Sequence, residues 1–210
     1  MVKILIADDH ALIRRGLKEI IADQPDMRVV GEAENAAQTL ALLRKQEWDV
    51  LVLDINMPGQ SGLDILREVS REQPRLPVLI LSAHPEDQFG ARVLKAGAAG
   101  FINKESAPEE LVKAIRKVCQ GGKYVSESLA ETLISSLRGD SHQLPHERLS
   151  DREYQVMLML AEGRTASEIA EELNLSVKTI STYRFRVMEK MNFKTNAELM
   201  RYAIRHKLVE

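Results

Sequence analysis

The chain is poor in cysteine. Cys119 is the only one among 210 residues, which rules out an internal disulfide and a cysteine metal cluster and fits a reducing cytoplasm. Long apolar runs are also missing. No stretch approaches the roughly 20 residues of a membrane span, and residues 2–7, before Asp8, are too few for the core of a secretory leader. Charge of one sign is scarce as well, with a net charge of -2. Residues 148–210 carry 11 Lys/Arg against 9 Asp/Glu, and the remainder 18 against 22. So mild an asymmetry does not by itself establish a nucleic-acid partner. What is present is the balance of an ordinary soluble protein, 29% charged and 44% hydrophobic. The length suits one large domain or two small ones.

Five times over, an apolar run is followed by a helical pattern. Residues 2–7 run into Asp8-Asp9-His10. Leu12, Ile13, Leu17, Ile20 and Ile21 then recur at helical spacing, with Arg14, Arg15, Lys18 and Glu19 between them. A short strand over 27–33 precedes a helix over 36–46, opened by Asn35 and Gln38 as a capping box. The stretch Val50-Leu51-Val52-Leu53-Asp54, soon followed by the Pro58-Gly59 turn, reads as a strand buried on both faces. A helix over 62–72 turns Leu63, Leu66 and Val69 inward. A strand over 77–82, a helix over 86–96, a brief strand over 100–102 and a helix capped by Ser106 with Glu109 complete the series. Strict alternation implies a parallel sheet with helices on both faces. The expected fold over residues 1–122 is therefore a doubly wound, flavodoxin-like α/β domain of five strands in the order 2-1-3-4-5.

Residues 123–147 read as a linker. Leu129, Leu133, Ile134 and Leu137 could line a short helix in it, and 138–146, with Gly139, Asp140, Ser141 and Pro145, is flexible in composition. Residues 148–210 form a small all-α domain. Capping boxes at Ser150 with Glu153, Thr165 with Glu168 and Thr195 with Glu198, and an N-cap at Ser176, mark four helices. The pair 167–173 and 177–192, joined by Asn174-Leu175-Ser176, has the helix-turn-helix pattern.

In an open parallel sheet, ligands bind outside the carboxyl ends of the strands. Asp8, Asp9 and Asp54 end two strands that are neighbours in this order. Ser82 ends the fourth, and Lys104 follows the fifth. Taken singly, Asp8 and Asp9 would be helix caps and Lys104 a surface lysine; five such residues at one edge are harder to assign to chance. Three carboxylates there repel one another unless a cation joins them, and Mg2+ suits carboxylate and phosphate oxygens. Asp54, ionised near neutral pH, can attack phosphorus to give an acyl phosphate. Lys104 and the metal would neutralise charge on the transferred group. The enzymatic alternative is a carboxylate-nucleophile phosphatase. Such enzymes carry a second Asp two residues after the nucleophile, where this chain has Asn56.

The helix over 177–192 divides into two faces. Ile180, Val187 and Met191 share one, expected in the core. Lys178, Ser181, Thr182, Phe185, Arg186 and Glu189 share the other. A plain solvated face is the simplest account of the second. Hydroxyls, cations and a lone outward aromatic are also what a major-groove helix needs.

Asp8-Asp9, Asp54, Met57-Pro58-Gly59 with Ser61-Gly62, Ser82 and Lys104, in this order and spacing, resemble a response-regulator receiver domain over residues 1–120. The resemblance implies that a histidine kinase phosphorylates Asp54. It implies that Asp8, Asp9 and Asp54 hold Mg2+ together with the main-chain carbonyl of Asn56. The Ser82 hydroxyl would move onto the phosphoryl group and Phe101 would swing inward as the switch side chain; ordinary core packing is the other account of Phe101. Many receivers carry Pro after the lysine, often in a cis bond. Glu105 stands there in this chain, and a cis bond is disfavoured.

Residues 149–209 resemble a LuxR-type helix-turn-helix domain, on Leu149-Ser150-Asp151-Arg152-Glu153, Ala161-Glu162-Gly163, Glu168-Ile169-Ala170 and Leu175-Ser176-Val177-Lys178-Thr179-Ile180. Together the two halves are similar to the NarL/FixJ family. That implies a cytoplasmic, phosphorylation-controlled transcription regulator that binds double-stranded DNA and dimerises on phosphorylation. It would be an enzyme only toward its own phosphoryl group. Lys178, Thr179, Ser181, Thr182, Phe185 and Arg186 would meet the DNA. Tyr183 stands where many relatives have His, and 184–186 read Arg-Phe-Arg, so operator preferences do not transfer. Tyr183-Arg184-Phe185-Arg186 and Ala203-Ile204-Arg205-His206 resemble the global-regulator branch. A receiver that docks partners without phosphorylation is the remaining alternative.

Overall fold

The computed structural model describes residues 1–57, 60–83, 86–127, 129–131, 144–206 and 208–209, with backbone only at 87 and 88. Two compact units divide the chain, Met1–Leu137 and Arg138–Glu210.

The first unit alternates strand and helix: β1 Val2–Ala7, α1 Ala11–Ala22, β2 Met27–Ala33, α2 Ala36–Leu43, β3 Val50–Asp54, α3 Gly62–Glu72, β4 Val78–Ser82, α4 Glu86–Lys95, β5 Gly100–Asn103 and α5 Ala107–Cys119. All pairings are parallel and the strand order is β2-β1-β3-β4-β5, as the alternation predicts. β3 and β4 are buried throughout, which is why they read as unbroken apolar runs. The edge strand β2 alternates buried and exposed positions. On one face Ile4, Ile6, Val50, Val52, Leu79, Leu81 and Ile102 pack against Leu17, Ile21, Leu111, Ala114, Ile115 and Val118 of α1 and α5. Neighbours such as Leu5, Leu51, Leu53, Ile80 and Phe101 are also buried and point to the opposite face by strand alternation.

Four local expectations need correction. In α1 the buried face holds Arg14, Leu17 and Ile21, whereas Leu12 is 81% exposed. Ile13 and Ile20 still pack in part against the core, and Arg14 rather than Leu12 completes the buried face because its guanidinium finds acceptors inside. α2 stops at Leu43 rather than 46, where side chains from beyond the helix take its last carbonyls. Trp48 Nε1 donates to Leu42 O at 3.1 Å and Gln73 Nε2 to Leu43 O at 3.0 Å. Asn35 caps α2 by accepting from Gln38 N, but Gln38 Oε1 accepts from Glu34 N instead of closing the box on Asn35. Ser106 makes no side-chain cap on α5; its hydroxyl donates to Asn103 O at 3.2 Å.

The chain stays with the sheet beyond α5. Tyr124 bridges Gly100, and Phe101 N donates to Tyr124 O at 3.2 Å. Leu129 is buried, and its amide donates to Ser126 Oγ at 3.1 Å. Leu133, Ile134 and Leu137 of the expected linker helix, and 138–143 of the expected flexible stretch, lie outside the described residues.

Among its described residues the second unit holds a 3-10 turn Pro145–Arg148 and four helices: α6 Asp151–Ala161, α7 Ala166–Glu172, α8 Val177–Met191 and α9 Asn196–Arg205. The three expected capping boxes form, and Ser176 accepts from Thr179 N to start α8. Asn174 and Asn192 adopt φ of 52° and 57°, the left-handed conformation that ends a helix. α7, its short turn and α8 make the helix-turn-helix, with Ile180, Val187 and Met191 on the buried face of α8. Among the described residues no helix is long and apolar enough to cross a membrane.

Candidate functional site

The carboxyl ends of β1, β3, β4 and β5 bring the predicted residues to one edge. Asp8 follows β1, Asp54 closes β3, Ser82 closes β4 and Lys104 follows β5. The Lys104 amide donates to Ser82 O at 2.8 Å, which holds the β5 loop against the end of β4. Lys104 Nζ then reaches across to both acids, 2.8 Å from Asp8 Oδ2 and 2.9 Å from Asp54 Oδ2. Asp54 Oδ1 accepts from the Asn56 amide at 3.1 Å. The start of α3 lies this close to the end of β3 because position 62 is glycine. A Cβ there would collide with the Asp54 main-chain oxygen, and Gly62 N donates to Ile55 O at 2.9 Å.

The electrostatics follow from burial. Asp54 is 1% exposed. Burial pushes its carboxyl up to about 6; Lys104 and the Asn56 amide pull it down, and Asp8 adds to the rise. Asp54 is thus a carboxylate at neutral pH, though a less comfortable one than an ordinary Asp. Burial works to lower the Lys104 ammonium, but Asp54 and Asp8 outweigh it and hold Lys104 above the usual lysine range.

Asp8, Asp9 and Asp54 offer hard oxygen donors in one cluster, the chemistry Mg2+ prefers. Asp8 Oδ2 and Asp9 Oδ1 are sealed from solvent and face Lys104 Nζ and His10 Nδ1, each at 2.8 Å. Three carboxylates crowded at one edge against a single lysine leave an excess of negative charge that a divalent ion would offset, so the residues present fit one.

Two residues of this edge were not singled out by the sequence pattern. His10 sits with Nδ1 at 2.8 Å from Asp9 Oδ1 and 3.3 Å from Asp8 Oδ1, and belongs to the same donor cluster. Arg14, 7% exposed, donates from Nη1 to the Asp8 main-chain oxygen at 2.7 Å and from Nη2 to Glu34 Oε1 at 2.6 Å. It ties the Asp8 loop to the end of β2. His10 was visible as the neighbour of the acid pair. Arg14 looked like any polar helix residue.

The second unit carries the other predicted face. On α8, Lys178, Ser181, Thr182, Phe185, Arg186 and Glu189 are all exposed, while Thr179 and Tyr183 are half-buried. Phe185 is 67% exposed, a large apolar area for one side chain. Ser181 and Thr182 donate their hydroxyl hydrogens to the carbonyls of Val177 and Lys178, at 2.9 and 3.0 Å. Their oxygens remain available as acceptors. Arg184 is drawn aside, with Nε donating to Asn196 Oδ1 at 3.0 Å, and Arg186 stands on the exposed face. Thr179 is engaged with the Ser176 cap.

Comparison with known proteins matches both halves. The model for "Response regulator receiver domain" covers residues 4–116, and that for "Bacterial regulatory proteins, luxR family" covers 147–203. Response regulator GacA of Pseudomonas aeruginosa is 39% identical over 211 residues, spanning 100% of this chain and 99% of that protein. Response regulator UvrY of Escherichia coli (strain K12) is 38% identical over 209 residues, spanning 99% and 96%. Among solved structures, the Salmonella typhimurium RcsB response regulator aligns with a TM-score of 0.68 at 28% identity, covering 100% of this chain and 98% of that one. A two-component response regulator RcsB–DNA complex aligns with a TM-score of 0.59 at 29% identity, covering 100% and 99%. RcsB bound to promoter rprA with the phosphomimetic BeF3- aligns with a TM-score of 0.64 at 29% identity, covering 96% and 98%.

Proposed function

The chain belongs to the NarL/FixJ family of response regulators, and from that premise we propose that a phosphoryl group accepted by Asp54 controls DNA binding through α8. The observation that carries the proposal is the meeting of Asp54, Asp8 and Lys104 at one sheet edge. The donor is a phosphorylated histidine of a kinase. An Asp54 carboxylate oxygen attacks phosphorus, the P–N bond to the donor imidazole breaks, and the imidazole leaves with that electron pair and takes up a proton. Lys104 Nζ passes its hydrogen bond from Asp54 Oδ2 to a phosphoryl oxygen, while its pairing with Asp8 keeps it in position. Asp8, Asp9, Asp54 and the main-chain carbonyl of Asn56 hold Mg2+, which supplies charge neutralisation to the phosphoryl oxygens. The Ser82 hydroxyl closes on the phosphoryl group. Phe101, buried on the neighbouring strand two residues before the partner of Ser82, is the switch side chain. Its amide is bonded to Tyr124 O, so a shift of β5 there is felt where the chain leaves the sheet.

The output is DNA binding. Lys178, Thr179, Ser181, Thr182, Phe185 and Arg186 meet the major groove, and a phosphorylated homodimer reads two half-sites about one helical turn apart. The RcsB complexes with DNA, one with a phosphomimetic, support this use of the same architecture. The chain acts in the cytoplasm and catalyses only the gain and loss of its own phosphoryl group.

Incubation with acetyl phosphate and Mg2+, followed by intact-mass measurement, tests the input. Wild type should gain one phosphoryl mass and Asp54→Asn none. No gain on wild type, with a known receiver labelling in parallel, overturns the proposal; gain on Asp54→Asn means another acceptor.

A further inference from the structure

Beyond α5 the chain is fastened to the first unit at two glycines, on two different elements. At the free edge of β5, Tyr124 N donates to Ala99 O at 2.9 Å and Tyr124 O accepts from Phe101 N at 3.2 Å. A Cβ at Gly100 would lie 2.5 Å from that Tyr124 oxygen, so the close seat of Tyr124 depends on glycine at position 100. On α4, a Cβ at Gly90 would lie 2.7 Å from Leu129 Cδ2, and Leu129 is 4% exposed. Ser126 fixes the approach to this second seat. Its amide donates to Glu86 Oε1 on α4 at 3.3 Å, and its hydroxyl accepts from Leu129 N at 3.1 Å. Tyr124 is thus held to β5 by main-chain bonds, whereas the Leu129 side chain is held to α4 by packing.

We propose that the segment anchored by Tyr124 and Leu129 is a strap across β5 and α4, and that phosphorylation of Asp54 unseats Leu129 and frees the chain that leads on to the second unit. The inference rests on the reading above that Ser82 closes on a phosphoryl group and Phe101 switches, and it names what those movements act on. Each moving residue adjoins one anchor. Ser82 ends β4, and α4 begins four residues later at Glu86, the acceptor of the Ser126 amide. Phe101 directly follows Gly100. A pull on the end of β4 therefore shifts Glu86 and Gly90 relative to β5, to which Tyr124 stays bonded. The Leu129 seat is the sensitive end. Packing contacts weaken over a fraction of an ångström, with a gap of about 0.5–1 Å forfeiting a quarter to a half of the attraction. The Leu129 amide is bonded within the strap itself, so leaving α4 costs no hydrogen bond at that residue. Freeing residues 125–131 adds up to about 25 Å of reach. That is comparable to the roughly 34 Å between half-sites one helical turn apart, so release lets the helix-turn-helix units of a dimer reach both.

The test uses the full chain, with beryllofluoride and Mg2+ as the phosphoryl mimic and fluorine NMR to show that beryllofluoride is bound. Amide hydrogen exchange is followed at Leu129, Ala130 and Phe101. Beryllofluoride should speed exchange at Leu129 and Ala130 severalfold and leave Phe101, bonded to Tyr124 O, protected. Leu129→Ala, which empties the seat, should gain phosphoryl mass from acetyl phosphate as wild type does. Without beryllofluoride it should bind operator DNA about fivefold or more tighter than wild type, and its gain on adding beryllofluoride should shrink by the same factor. Leu129→Met, which refills the seat, should behave as wild type. Bound beryllofluoride with unchanged exchange at Leu129 overturns the strap and leaves phosphorylation of Asp54 standing. So does Leu129→Ala with wild-type affinity and full gain. Exchange that speeds equally at Phe101 overturns Tyr124 as the fixed end. Wild type that binds no beryllofluoride overturns the reading of the Asp54 site, and the strap with it.

Discussion

Asp54 is a charge held where charge is disfavoured, and that shows before any phosphoryl group arrives. Burial raises its carboxyl from an ordinary value to about 6 despite Lys104. A raised pKa means that the folded form holds the proton more tightly than the unfolded one. The associated stability is fully present below the ordinary Asp value and is lost as pH rises through about 6. Asp54→Asn carries no such penalty, and Lys104 keeps Asp8 as its partner at 2.8 Å. In metal-free buffer near pH 7.5 the variant should therefore melt several degrees above wild type. The gap should narrow as pH is taken down through 6, and calorimetry of the receiver transition reads both. A variant that melts below wild type at neutral pH would refute the account. Arg14 is the second residue-scale case. Arg14→Gln removes the donors to Asp8 O and Glu34, at a cost of about 1–3 kcal/mol for the groups left unpaired. It should weaken divalent-ion binding roughly tenfold through the loosened Asp8 loop. Arg15→Gln, exposed and paired along the helix with Glu19, should change neither melting nor metal titration. In the sequence the two arginines are adjacent and alike. Which one enters the core depends on the Asp8 main-chain oxygen and on a carboxylate twenty residues away, and the second is not written locally.

At the scale of elements, what could be read was what is local. Ser150 with Glu153, Thr165 with Glu168 and Thr195 with Glu198 lie three residues apart and form as boxes. The long-range counterpart was invisible: Lys190 Nζ on α8 is 2.6 Å from Glu153 Oε2 on α6. Burial works to raise the Glu153 carboxyl, but the bonds from Lys190 and Ser150 outweigh it and hold the group below the usual range. A depressed carboxyl gives stability above its ordinary value that is lost as pH falls through the depressed one. Lys190→Met should lower the melting temperature of the second unit at neutral pH. The difference from wild type should vanish in strong acid, where Glu153 is protonated in both. A deficit that stays constant with pH would assign the loss to packing instead. The same locality explains why the α8 faces were legible, since a single helical period separates Ile180, Val187 and Met191 from Thr182, Phe185 and Arg186. Thr182→Ala and Arg186→Ala should weaken operator binding with unchanged far-UV circular dichroism. Alanine at 182 removes a hydroxyl that bonds back onto the helix, so helix stability should rise if anything. Arg186→Ala should also lower the salt slope of binding by about one if the side chain meets phosphate, or relax base preference if it meets a base. Footprints unchanged for both variants would place the DNA-reading face elsewhere.

At the scale of the whole molecule, the sheet order and the functional edge were legible because strict alternation leaves few topologies, and all of them put the strand ends together. The passage of a signal from Asp54 to α8 is a matter of free energy between states, and no local pattern encodes it. It is nevertheless measurable without knowing the route. If a phosphoryl group at Asp54 raises DNA affinity, it does so only by favouring the state that DNA also favours. For binding equilibria the coupling must then be reciprocal. Beryllofluoride, a non-covalent phosphoryl mimic, makes the input a binding equilibrium as well. Saturating it should tighten full-chain binding to an operator by some factor, read by fluorescence anisotropy at fixed salt. Saturating operator DNA should tighten beryllofluoride binding by the same factor, read by calorimetry. Couplings between protein sites are typically 1–3 kcal/mol, so the factor should lie between about 5 and 150. Asp54→Asn should bring both factors to unity while leaving basal DNA binding intact. Wild-type factors of one, with beryllofluoride demonstrably bound, would reduce the receiver to a docking module with no control over the helix-turn-helix. Unequal factors would show that a further equilibrium, such as dimerisation, differs between the two measurements. Repeating both across protein concentration would then separate dimerisation from coupling within one chain.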